Sequence, residues 1–345
     1  PIGVPRLRGV RHFESKGVLV LPVIGALRPW ADPQLLSLHR LPMHVPLPLL
    51  DDARKSLDGD WFFERFETPE SIPERAVLGA TPTSGKQVTV PGNWTLQDTP
   101  DHPWYTNVQM PFDGPPPRLP ELNPAGVYRR TFTLGRGWKS HQVVLHVGGA
   151  ESVHAVYLND RFVGYGTDSR LPSEYDITDH LVSGPNHLAI VVVRFSAQSY
   201  VEDQDQWWMA GLHRSVWIDA RTPVHIADVR CRPQLDLAAG TGVLKVATEV
   251  GFTVPPTAGH RVRVALTDPK GRPVGKPAEQ PVPHEFAQPY VFRGFVARHR
   301  VEVPKVLAWS AEQPHRYRVD VELLAPDGRV LEATQQLIGF RHVEV

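Results

Sequence analysis

VHAVYLNDRFVGYG, Val153–Gly166, sets Asn159-Asp160 between two apolar runs. Two apolar runs separated by two residues that tolerate left-handed backbone are the pattern of two antiparallel strands joined by a tight turn. NHLAIVVVRFS, Asn186–Ser196, lies downstream and holds a largely apolar run from Leu188 to Phe195, which suits a strand buried on both faces. QVVLHVGG (Gln142–Gly149) and HRSVWIDA (His213–Ala220) read as further strands of the same block. After RTPVHI (Arg221–Ile226) the texture changes. GVLKVATEVGFTV (from Gly242), HRVRVALTDPKGRPVG (from His260) and YRVDVELLAPDGRVLEATQQLIGF (from Tyr317) alternate regularly, with DPKG and APDG marking tight turns. That is the signature of a small antiparallel sandwich with one wet face per sheet. The expected organisation is an extension over residues 1–30, a first β domain over 31–221 and a second over 222–345.

Composition agrees with an all-β protein. The 345 residues include 35 prolines, which forbid long helices and favour short strands. The chain is long for one core, so two domains are the natural division. Lys+Arg and Asp+Glu balance at 37 each, which argues against nucleic acid or an anionic membrane as the main partner. A lone cysteine, Cys231, excludes an internal disulfide and suits a cytoplasmic location better than a secreted one. No apolar run approaches the roughly 20 residues of a membrane span. GVLVLPVIGAL (Gly17–Leu27) has the apolarity of a signal segment, but RPWADP follows it rather than a clean small-residue cleavage site. FDGPPPRLPELNP (Phe112–Pro124) reads as a proline-stiffened loop.

Motifs for standard chemistries are missing: there is no H-E-x-x-H, P-loop or G-x-S-x-G, and GYGTDS lacks the third glycine of a dinucleotide site. Two clusters remain. PWYTNVQMPF (Pro103–Phe112) crowds Trp104, Tyr105 and Asn107 together. YVEDQDQWWMAGLHRSV (Tyr200–Val216) sets Glu202, Asp203 and Asp205 against Trp207 and Trp208. Carboxylates and amides satisfy sugar hydroxyls, and aromatic faces accept sugar C–H surfaces. The default for such residues is plainer: tryptophans beside loops are usually core plugs, and acids there usually face water.

SLDGDWFFERF, VPGNWTLQ, PWYTNVQMPF, NPAGVYRRTFTL, VYLNDRFVGYGTDSRLPSEYDIT, YVEDQDQWWMAGLHRSV, LAWSAEQPHRYRV and IGFRHVEV occur in this order along the chain. Together they make it resemble the N-terminal part of the β-galactosidases of glycoside hydrolase family 2. The resemblance implies a jelly-roll, galactose-binding-like β-sandwich followed by an immunoglobulin-like β-sandwich. It also implies a (β/α)8 catalytic barrel that these residues do not contain. By motif match, Asn107 of YTNV and Asp205 of EDQD are the implied substrate-binding residues, with Asp205 also beside a sodium ion. Glu202, Asp203, Trp207 and Trp208 are then scaffold for Asp205. No catalytic residue is assigned to this chain. The family's catalytic glutamates lie on the barrel, the acid/base one after an asparagine, and no Asn-Glu pair occurs here. Retaining hydrolysis needs two carboxylates about 5–5.5 Å apart, so the chain alone is expected to be inactive. Sodium and magnesium are implied for the full enzyme only, as are the barrel domain as partner and a homo-oligomer. Ala210 and Leu212 replace a serine and an isoleucine common in relatives, and KPAEQPVPHEFAQPY (Lys276–Tyr290) replaces a loop that in some relatives reaches a neighbouring subunit. The other reading consistent with the residues is a free-standing carbohydrate-binding module without hydrolase activity.

Overall fold

The computed structural model describes residues 28–45, 47, 53–107, 109–285 and 294–344. The apolar stretch Gly17–Leu27, nearly all of the extension over 1–30, and the end of the loop from Lys276 lie outside these residues. Among the described residues the only α-helix is the single turn Glu74–Val77, and no helix is long and apolar enough to cross a membrane. The structure is otherwise strands and short 3-10 turns, a jelly-roll β-sandwich followed by an immunoglobulin-like β-sandwich. The described residues fall into two compact units, one within 1–41, 56–134 and 145–217 and the other within 42–55, 135–144 and 218–345.

The first unit is organised by a seven-stranded sheet. Its order is Ser37–Leu38, Arg161–Gly166, Val153–Leu158, Asn186–Val193, Ala125–Phe132, Gly59–Phe66 and Gln87–Val90. All neighbours are antiparallel where register is resolved, with Val191 opposite Val127 on one side and Ala155 on the other. This central position is why Leu188–Val193 is apolar throughout: every residue of that run is buried. Asn159 and Asp160 both take positive φ, 50° and 66°, as a right-twisted hairpin requires. Asp160 also accepts a hydrogen bond from the Gly79 amide. One cluster joins Trp30, Val127, Val153, Tyr157, Tyr165 and Val191. A second contact set is aromatic: Phe63 packs at 5.7 Å from Trp94 and 5.0 Å from Tyr128. Gly126 makes room for it, since a Cβ there would lie 2.5 Å from the Phe63 ring.

The second unit is a sandwich of two antiparallel sheets. Val224–Asp236, Thr241–Phe252 and Val296–Val303 form one; Ala278–Pro281, Arg261–Thr267, Tyr317–Leu324 and Val330–Ile338 form the other. The alternation read from sequence is the burial pattern observed: Leu244, Val246, Val262, Val264, Val319 and Val321 all enter one core with Phe340. Both expected turns are present. Asp268 accepts the Lys270 and Arg272 amides while Gly271 sits at φ 78°, and Gly328 takes φ 88° in the APDG turn. Cys231 is a free thiol, and burial pushes its pKa up to about 12, so it stays protonated and unreactive.

Candidate functional site

The two clusters read from sequence meet in the first unit. Trp104–Thr106 and Gln206–Trp208 pair antiparallel, with Thr106 opposite Gln206, Tyr105 opposite Trp207 and Trp104 opposite Trp208. Alternation sorts the side chains of this short ribbon. Trp208 is buried, and its indole N–H donates to Thr106 Oγ1 at 2.7 Å. Trp207 and Tyr105 point the other way, 54% and 51% exposed, with ring centroids 5.7 Å apart. Core packing, the default for both tryptophans, therefore holds for Trp208 only. Trp207 belongs to a solvent-facing aromatic surface.

Asn107 follows Thr106 and Asp205 precedes Gln206, so the antiparallel register brings both to the same end of the ribbon. Both are exposed. Asp205 is an open carboxylate, and among the described residues its one hydrogen-bond partner is Tyr105, whose hydroxyl donates to Asp205 Oδ1. That hydrogen bond raises the Tyr105 pKa above the ordinary phenol value, because losing the proton would set phenolate against carboxylate.

Buried polar groups hold the ribbon from behind. Asp101, three residues before Trp104, takes a bidentate ion pair from Arg65 (2.7 and 2.9 Å) and the Trp94 indole N–H at 2.8 Å. Burial alone would raise the Asp101 pKa. The hydrogen bonds from Arg65 and Trp94, with the charges of Arg65 and Arg194, hold it below the usual carboxylate range. Arg194 bridges the two strands by donating to the carbonyls of His102 (2.7 Å) and Trp208 (3.4 Å), with its guanidinium 5.9 Å from the Trp104 ring centroid.

Glu202 is tied into the fold through Ser169. Its two oxygens accept from the Ser169 amide at 2.9 Å and from the Ser169 hydroxyl, while burial raises its pKa. His213 Nε2 lies 2.7 Å from the Ser169 carbonyl. Tyr200 donates to the Arg118 carbonyl at 2.6 Å, tying the proline-stiffened loop to the start of the acidic segment. Asp203 differs: its Oδ1 is buried and finds no hydrogen-bond partner among the described residues. Tyr105 stands in the first cluster read from sequence, but its link to Asp205 was not read there. Its crowding with Trp104 and Asn107 was the available signal, but its bond to Asp205 spans 100 positions and follows only from strand pairing.

An exposed aromatic pair beside a carboxylate and an amide can bind a polyhydroxylated ligand, the rings against C–H faces and the polar groups on hydroxyls. Residues 54–222 match the sugar binding domain of glycosyl hydrolases family 2, and residues 224–341 match a second domain of the same family. The chain belongs to glycosyl hydrolases family 2. Among curated family 2 relatives, the β-galactosidase of Aeromonas hydrophila is 36% identical over 345 residues, covering 94% of this chain and 33% of that protein. The β-galactosidase of Psychromonas ingrahamii is 33% identical over 330 residues, covering 92% of this chain and 32% of that protein. The chain thus spans about a third of the length of the curated relatives it matches. Among solved structures, Bifidobacterium dentium β-glucuronidase superposes with a TM-score of 0.65 at 22% identity, covering 86% of this chain and 50% of that one. Bacteroides uniformis β-glucuronidase gives 0.64 at 21%, covering 84% and 32%. At that identity these two establish the shared fold alone.

Family 2 resemblance implied sodium beside Asp205. The described residues contain no group of three His, Cys, Asp or Glu side chains able to hold a metal. Asp205 offers one carboxylate, already accepting from Tyr105, whereas a hard cation such as magnesium takes about six oxygens. Asp205 by itself offers a cation one carboxylate and no more.

Proposed function

We propose that this chain is the non-catalytic front part of a β-galactosidase that hydrolyses terminal β-D-galactosides with retention, and that it supplies one wall of a composite sugar site. The observation that carries the reading is the convergence of Asn107, Asp205, Tyr105 and Trp207 at one ribbon end, in a chain similar to β-galactosidases over more than nine-tenths of its length. In this reading the Asp205 carboxylate accepts from a galactose hydroxyl, and the Asn107 amide holds a second polar group. Tyr105 keeps the carboxylate oriented, and Trp207 covers a C–H face of the sugar. A carboxylate so placed discriminates by hydroxyl geometry, since a sugar lacking that hydroxyl leaves it desolvated and unpaired. Acid/base and nucleophilic carboxylates would come from the barrel of a longer polypeptide, as would most ligands of sodium at Asp205 and all those of magnesium.

The first test is the mass of the native polypeptide in its source cells, detected with an antibody raised against this chain. A species roughly three times as long as this chain supports the reading. Within that species, Asp205→Asn should lower kcat/KM for a nitrophenyl β-galactoside by about 10- to 100-fold, the loss of a charge-assisted hydrogen bond. Unchanged kcat/KM would overturn the role of Asp205. A native species of this length that binds galactosides without cleaving them would establish the free-standing module instead.

A further inference from the structure

The outer face of the three-stranded sheet in the second unit carries a charge pattern with no role in the galactoside site. Strand register sets Arg232, Lys245 and Arg300 side by side in one cross-strand row, and Arg230, Ala247 and Arg298 in the next row on the same face. All five cations are exposed, and together with Ala247 they line a groove of about 470 Å³. Like charges directly opposite one another in a sheet repel. Lys245 has such a neighbour on both sides.

The other sheet of the same sandwich shows how this fold handles surface cations. There Arg261 pairs with Glu279, Arg263 with Glu322 and Arg318 with Asp320. On the three-stranded sheet, Arg230 pairs with Asp228 and Glu249, and Arg300 with Glu302. Among the described residues, Arg232, Lys245 and Arg298 have no carboxylate within ion-pair distance. The acids also bound the patch. Asp228 and Glu249 occupy the row beyond Arg230, and Glu302 the row beyond Arg300. An extended polyanion running along the strands would leave the cations and meet carboxylates. A compact one would not.

We propose that this groove binds a small polyanion, a ligand carrying two phosphate or carboxylate groups about 7 Å apart, the spacing of two rows along a strand. One anionic group sits between Arg232 and Lys245 and the other against Arg298, with the ligand body over Ala247. The small side chain at that position leaves the floor open, and neutralising the row relieves its repulsion.

Calorimetry of the 345-residue chain tests this with four probes: glucose 1,6-bisphosphate, citrate, inorganic phosphate and glucose. One of the two polyanions should bind at least about tenfold more tightly than inorganic phosphate, glucose should not bind, and binding should weaken as salt rises from about 50 to 200 mM. Preference for the bisphosphate identifies a phosphate ligand, and preference for citrate a carboxylate one. Lys245→Gln with Arg298→Gln should abolish binding while leaving the thermal midpoint equal or higher, because repulsion is removed. Lys270→Gln, in the Asp268–Gly271 turn, should bind as the parent does. The proposal is overturned if neither polyanion outcompetes inorganic phosphate by that margin, or if the double variant still binds.

Discussion

Lowering the pH should unfold the first unit through His154, and the size of the effect follows from its surroundings. The imidazole is 3% exposed on the Val153–Leu158 strand, with Nε2 2.9 Å from the Tyr175 hydroxyl and that ring edge-on at 5.8 Å. Gly166 opposes it, where a Cβ would lie 2.9 Å from the imidazole and 2.6 Å from the Tyr175 oxygen. Burial, aided by the charge of Arg40, pushes the His154 pKa down to about 3 from 6.5. Because the folded-state pKa is depressed, the unfolded chain binds the proton first. The stabilisation is complete above pH 6.5 and is lost as pH falls from there toward 3. At about 1.36 kcal/mol per unit, His154 alone removes roughly 2.7 kcal/mol by about pH 4.5 and nears its limit of about 5 kcal/mol by about pH 3. His180 and His213 are depressed by burial in the same unit, so the contribution must be isolated by difference. The assay is urea unfolding followed by tryptophan fluorescence, for the parent and for His154→Gln, at four pH values between about 7.5 and 4.5. The parent's advantage over the variant should shrink by roughly 2–3 kcal/mol across that range. A difference that stays flat would refute the reasoning. The site is coupled to this event, because Arg161–Gly166 runs directly into the segment where Ser169 holds Glu202.

Three further outcomes follow from the same geometry. Arg65→Leu strands the buried Asp101 carboxylate and should cost about 3–5 kcal/mol, whereas Glu67→Gln, an exposed partner of the same arginine, should cost under about 1 kcal/mol; chemical denaturation of both reads this directly. Gly126→Ala drives a methyl into the Phe63 ring beneath Trp94 and should lose about 1–3 kcal/mol, while Gly137→Ala meets nothing within 4 Å and should leave the thermal midpoint unchanged. Asp205→Asn removes the carboxylate that accepts from the Tyr105 hydroxyl, so the Tyr105 phenol should titrate at lower pH than in the parent when its ring resonances are followed by NMR; an unmoved titration would show that the contact does not persist in solution.

The strands of this protein were readable because alternation is a local property. A residue in a strand faces the core or water according to its parity, so VKV-type and HPH-type runs declare their buried faces before any partner is known. That is why the immunoglobulin-like unit was legible, while the Asn159-Asp160 turn and the Leu188–Val193 run declared themselves by turn chemistry and unbroken apolarity. The site was legible in kind, through aromatics, acids and amides crowded in two short segments, and through a chain-long resemblance to family 2. Its geometry was not. Whether Trp207 or Trp208 is buried depends on the parity of a three-residue strand whose partner lies about 100 positions earlier. The same pairing decides that Tyr105 meets Asp205. The unmatched cations on the three-stranded sheet are equally invisible in the linear chain, where Arg232, Lys245 and Arg300 stand in three separate, ordinary-looking strands. Sequence determined which residues are strand, core and turn, because those follow from each residue's own chemistry and its immediate neighbours. Tertiary structure alone decided which side chains meet, because register is a choice between distant segments, and a one-residue slip would turn every one of these groups to the opposite face.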